Sequence, residues 1–109
     1  MTDKVKIAKS SGNIFEDLGL PDSEERLAKT KLTSQIAEII RKRKLTQTQA
    51  AAQLGINQPK VSALLKGNLA GFSTDRLIRF LNLLGRDVNI VIKPKPRSQK
   101  YGHVRVNAI

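Results

Sequence analysis

The chain has 109 residues, and its 20 Lys and Arg against 9 Asp and Glu give a formal charge of +11. Leu, Ile, Val and Phe together number 32 residues, more than the fifth below which charged chains tend to stay unfolded, and the length suits one domain with tails. The absence of Cys excludes disulfides, thiolate metal sites and thiol nucleophiles. No apolar run approaches the ~20 residues that span a bilayer, and no apolar stretch follows Met1 as a secretory signal. We therefore expect a cytoplasmic protein with neither cofactor nor metal.

The positive charge is concentrated after residue 30. Residues 1–30 carry a net charge of −1, whereas residues 31–109 carry +12. A charge of this density repels itself unless an anion neutralises it, and many basic domains of this size bind nucleic acid. The sequence therefore favours DNA, RNA or anionic lipid as a partner, although the same charge would also serve solubility alone.

Composition divides the chain into three parts. Residues 1–21 form an N-terminal arm, residues 22–92 carry the periodic apolar pattern of a folded domain, and residues 93–109 form a basic tail. The domain is predicted to be mainly α, a helix-turn-helix bundle followed by a C-terminal β-strand.

Four helices are predicted in the domain. The first begins at Asp22 and runs to about Arg43, with one apolar stripe along it. The caps predicted for the next three helices are short polar side chains: Thr46, Asn57 and Ser73 or Thr74. Each of these helices is predicted to end at a glycine: Gly55, Gly67 and Gly85.

The alternation from Asp87 to Ile92 predicts a β-strand. A lone strand is not stable, so it needs a partner. Pairing with its copy in a second subunit would make Val88, Ile90 and Ile92 the dimerisation residues. Pairing within the chain, with residues 104–106 or with residues 5–7, is the alternative.

Residues 47–66, QTQAAAQLGINQPKVSALLK, carry the pattern of a helix-turn-helix. Two short helices meet at Gly55, and Ala51 is small where they must approach closely. The apolar positions have the spacing that buries a two-helix corner: Leu54, Ile56, Val61 and Leu64. In such a corner the second helix enters the DNA major groove while the first crosses the backbone. The pattern therefore favours double-stranded DNA as the partner.

This stretch resembles the Cro/lambda-repressor (Xre) class of helix-turn-helix proteins. The resemblance rests on the following residues: Leu45-Thr46-Gln47, Ala51, Gly55-Ile56, Gln58, Val61-Ser62, Leu64 and Lys66-Gly67. It implies a lambda-repressor-like helical core over about residues 27–85. Ala50 departs from the class, which usually has a larger apolar residue there.

The wider layout, about residues 11–96, is similar to HigA-type antitoxins, because a short acidic and apolar segment precedes the domain and a strand follows it. That resemblance implies a homodimer that represses its own operon and neutralises a RelE-like ribonuclease toxin. Ile14, Phe15 and Leu18 would be the toxin contacts, although the same residues would alternatively pack on the domain. A stand-alone regulator without a toxin has the same layout.

The resemblance places Gln47 on a DNA phosphate and Gln58 on a base edge. Chemistry agrees, because a Gln amide pairs bidentately with adenine and a helix N-terminus binds phosphate oxygens. The predicted base-reading residues lie on one helix: Gln58, Lys60, Ser62 and Ala63. The predicted phosphate contacts border the same face: Arg43, Lys44, Thr46, Gln47, Lys66, Asn68 and Ser73.

Other functions find little support in the sequence. His103 is the single histidine, so the paired His of a zinc site is absent, and the chain has no glycine-rich phosphate loop; we expect no enzyme. The few aromatic residues do not form an RNA-stacking platform, and the helices lack the broad apolar faces of membrane-surface helices. A charge-driven RNA-binding protein is the remaining alternative.

Overall fold

The computed structural model describes residues 22–108, in which the chain forms four α-helices. They are α1 (Asp22–Lys42), α2 (Gln47–Leu54), α3 (Gln58–Leu65) and α4 (Thr74–Leu83). The four predicted helices are thus confirmed, with ends within a residue or two of those expected. The arm at 1–21, with the proposed toxin contacts Ile14, Phe15 and Leu18, lies outside the described residues, as does the segment at 5–7.

Each shorter helix begins at a polar side chain that accepts a hydrogen bond from the backbone N–H three residues later: Thr46, Asn57 and Ser73. Ser73, rather than Thr74, therefore caps α4. At α2 the arrangement is reciprocal, because the Gln49 side chain accepts from the Thr46 N–H at 2.8 Å. These caps satisfy backbone donors that have no partner within the helix, which is why the short polar residues fix where the helices start.

The turn between α2 and α3 depends on Gly55. Its φ is +71°, in the left-handed region, and its N–H donates to the Ala51 carbonyl at 2.9 Å. A residue with a Cβ is strained in this conformation, so the glycine sets the angle at which α3 leaves α2. A second left-handed residue, which sequence patterns did not predict, is Lys44 at φ +54° in the link between α1 and α2.

The core lies where the four helices meet. Its largest fully buried side chains come from α1, α3 and α4 and the residue that ends α4: Ile36, Val61, Leu64, Leu77 and Leu84. Ala50, where the sequence departs from the Xre class, is itself completely buried. Phe72 and Phe80 pack edge to face with ring centroids 6.0 Å apart. This packing holds α3 against the body by one side only.

The β-strand predicted at Asp87–Ile92 is not formed, and residues 22–108 contain no strand. Val88 packs partly against the core, but Ile90 and Ile92 are 75% and 93% exposed. A strand exists only through hydrogen bonds to a neighbour, and within one chain this segment has none. Residues 104–106, the alternative partner, take another course.

The C-terminal tail returns to the first turn of α1. His103 Nδ1 lies 2.7 Å from Glu24 Oε2, and the Val104 N–H donates to Glu24 Oε1 at 2.7 Å, while Val106 packs against the core. We call this the tail contact. Burial alone would raise the pKa of Glu24, but the hydrogen bonds from Val104 and His103 and the attraction of His103 and Arg105 outweigh it and hold the pKa below its ordinary value of 4.5.

Candidate nucleic-acid interface

Helix α3 has one buried and one accessible side. Val61 and Leu64 are fully buried against the core. On the accessible side Gln58 and Lys60 are exposed, whereas Ser62 and Ala63 are half-buried, and Ala63 packs partly on the core. The first turn of α3 is therefore the part that best presents polar side chains to a partner. Of the four predicted base-reading residues, Gln58 and Lys60 are the most accessible.

Gln58 is tied to the preceding helix. Its Nε2 donates to Thr48 Oγ1 at 2.8 Å, which joins the first residue of α3 to the second residue of α2. Thr48 was not among the residues predicted from the sequence. Nothing in the local pattern identifies it, because the two residues are ten positions apart and meet only once the α2–α3 corner has formed.

The stretch around this corner has no acidic residue. Between Glu38 and Asp75 the chain carries six basic residues and no Asp or Glu: Arg41, Lys42, Arg43, Lys44, Lys60 and Lys66. Neither α2 nor α3 has an acidic side chain in its first turn, whereas α4 has Asp75 there. The partial positive charge at the starts of α2 and α3 is thus left for an external anion.

The seven predicted phosphate contacts fall into two groups. Three already use side-chain atoms within the chain: Thr46 and Ser73 as caps, and Arg43, whose Nη2 donates to the Leu84 carbonyl at 2.7 Å. The other four are exposed and make no side-chain hydrogen bond or ion pair within residues 22–108: Lys44, Gln47, Lys66 and Asn68. These four are better placed to contact phosphate.

Arg76 is a cation at this surface that sequence reasoning missed. Its guanidinium lies over the rings of Phe72 and Phe80, 5.9 and 5.5 Å from their centroids. It lines a shallow depression beside the α2–α3 turn together with Lys60. Two aromatic faces restrict the Arg76 side chain, so a second fixed positive charge accompanies Lys60.

Comparisons with known proteins agree with this geometry. The sequence profile of a family described as a helix-turn-helix domain matches residues 14–93. A solved structure named "Putative XRE Family Transcriptional Regulator" is 49% identical, with a TM-score of 0.77, and the match covers 82% of this chain and 100% of that one. The chain belongs to the XRE family of helix-turn-helix regulators. No curated protein sequence matches it.

Membership of the XRE family confirms the helix-turn-helix identified from residues 47–66, and it is a family of non-enzymatic regulators. Within residues 22–108, no helix is both long enough and apolar enough to cross a bilayer. The same part of the chain brings no three metal-ligating side chains together.

Proposed function

We propose that this XRE-family protein is a sequence-specific repressor that binds double-stranded operator DNA as a homodimer. The observation that carries the proposal is the α2–α3 corner, where an accessible first turn of α3 lies in a stretch of chain with six basic and no acidic residues. Gln58, Lys60, Ser62 and Ala63 would read base edges in the major groove, and the exposed polar residues around them would hold phosphates.

The electrostatic part of the proposal is tested by the salt dependence of binding. A dimer that neutralises roughly 6–10 phosphates loses affinity steeply as salt rises. We expect Lys66→Gln to reduce the slope of log K against log salt by about one per contact. Lys31→Gln, which removes the same charge from an exposed position on α1, is the matched control and should leave the slope unchanged. A nearly flat plot for the unaltered protein would refute DNA binding.

Base reading is tested separately. Gln58→Ala should weaken binding to the preferred duplex by about 1–3 kcal/mol and relax the preference at one base pair in each half-site, with little effect on random duplex. An equal loss on preferred and random duplexes would remove Gln58 from base reading.

The homodimer rests on the segment after α4. Ile90, Val91 and Ile92 are all more than 70% exposed, and the backbone of residues 87–92 makes no hydrogen bond to the backbone of the described chain. Antiparallel pairing of this segment with its copy would bury these apolar side chains and satisfy their N–H and C=O groups. A helix-turn-helix dimer reads two half-sites about 34 Å apart, so pairing would also supply operator symmetry.

Sedimentation at micromolar concentration tests the dimer. We expect the unaltered protein to have the mass of a dimer and Ile90→Lys to shift it to a monomer. Asn89→Lys adds the same charge in the same segment without removing an apolar side chain, and it should dissociate the dimer less. A strictly monomeric unaltered protein would contradict the proposal.

The antitoxin role is a finer proposal. Its support is the likeness of the layout to HigA-type antitoxins, together with a family match that begins at residue 14 and so includes the acidic segment. We expect deletion of residues 1–20 to abolish binding of a RelE-like ribonuclease encoded beside this gene while DNA affinity is kept. Loss of thermal stability on that deletion would instead show that Ile14, Phe15 and Leu18 pack on the domain.

A further inference from the structure

The contact between Thr48 and Gln58 has no role in building either helix. Thr46 already caps α2, and Gln49 completes that cap. Asn57 caps α3 through the N–H of Lys60. The Thr48 hydroxyl therefore contributes to neither helix start, and both Thr48 and Gln58 are exposed. What the contact does is fix one amide at the accessible surface of the corner.

The direction of this hydrogen bond determines what the amide offers to a base. Gln58 Nε2 has two N–H groups, and one of them is donated to Thr48 Oγ1. The amide then presents its oxygen, an acceptor, and its second N–H, a donor. Adenine offers an N6 donor beside an N7 acceptor in the major groove, whereas guanine offers two acceptors. The arrangement complements adenine and leaves the Gln58 oxygen facing an acceptor if guanine is present.

We propose that Thr48 is a positioning residue that holds the Gln58 amide with its oxygen and one N–H outward, and that it thereby selects adenine at the base that Gln58 reads. This inference rests on the proposed function, and Thr48 itself need not touch the DNA. Without the hydroxyl the amide rotates and exchanges its two ends, so that it serves adenine and guanine more equally.

The substitution Thr48→Val keeps the shape of the side chain and removes the acceptor, and Thr48→Ser keeps the hydroxyl and serves as the matched control. Duplexes selected by the unaltered protein from a random pool define the preferred base at each position. Dissociation constants are then measured for the selected duplex and for its A→G variant at the Gln58-dependent position, which Gln58→Ala identifies.

We expect Thr48→Val to lower the preference for adenine over guanine at that position roughly 2- to 10-fold, because the side chain must be immobilised on binding rather than beforehand. Thr48→Ser should retain the preference. The salt slope and the preferences at other positions should not change, and the thermal midpoint should stay within about 4 °C, as for other surface substitutions. If Thr48→Val is poorly folded, Thr48→Ala makes the same test.

Two failures are distinguishable. If the unaltered protein enriches no sequence from the pool, the proposed function is wrong. If it enriches a sequence in which Gln58 controls one base, but Thr48→Val leaves the adenine preference at that base unchanged, or Thr48→Ser loses it equally, the Thr48 inference is wrong and the proposed function stands.

Discussion

Substitution of Arg43 by Met separates an internal role of this side chain from a role on DNA. Met keeps most of the aliphatic stem but removes the guanidinium that donates to the Leu84 carbonyl at 2.7 Å. That carbonyl lies at the end of α4, where helix carbonyls lack partners within the helix. A hydrogen bond from a charged donor contributes about 1.5–3 kcal/mol, and partial exposure reduces this because water can replace the lost donor. We therefore expect Arg43→Met to lower the free energy of unfolding by about 1 kcal/mol, or about 4–8 °C in the thermal midpoint for a domain of this size.

Thermal unfolding followed by circular dichroism measures this effect. Arg41→Met is the matched control, because Arg41 is exposed and its ion-pair partner Glu38 is 3.9 Å away, a kind of surface pair that contributes little. Equal midpoints for the two variants would refute the stabilising role of the link to Leu84. Unchanged stability combined with a lower salt slope in DNA binding would place Arg43 on a phosphate, as the sequence predicted.

Three further predictions concern stability. Because the pKa of Glu24 is depressed, the stabilisation from the tail contact is present above pH 4.5 and lost as the pH falls through the depressed value; Glu24→Gln should flatten this part of a plot of midpoint against pH, and an unchanged plot would contradict it. Gly55→Ala meets no atom within 4 Å, so only backbone strain of about 1 kcal/mol should appear, with Gly71→Ala as a control that lacks the positive φ. Leu64→Ala should cost about 2–5 kcal/mol in denaturant unfolding and Leu65→Ala, 37% exposed, far less; similar costs would show that Leu64 does not anchor α3.

The helices and their limits could be predicted because their signals are local. Thr46, Asn57 and Ser73 each accept a hydrogen bond from a residue three positions away, and the left-handed turn needs a glycine at position 55. Such signals depend on a few neighbouring residues, so they are legible in the sequence. The accessible position of Gln58 followed from the same reasoning, since Val61 and Leu64 had to face the core.

The features that sequence reasoning missed depend on distant partners. The alternation at 87–92 has the composition of a strand, but composition does not supply the neighbour to which a strand bonds. Thr48 meets Gln58 only through the α2–α3 corner, and Glu24 meets His103 across 79 positions. Arg43 was assigned to phosphate from its charge alone, because its link to Leu84 depends on the way α4 ends beside α1.

The tail contact also bears on the order in which the chain folds. Closing a loop costs more as it lengthens, and contacts that are distant in sequence form after local ones. The α2–α3 corner joins residues close in sequence, whereas Glu24 must wait for His103. On the ribosome all four helices are made before His103 is added, so we expect the corner to assemble first and the tail to dock onto a body already folded.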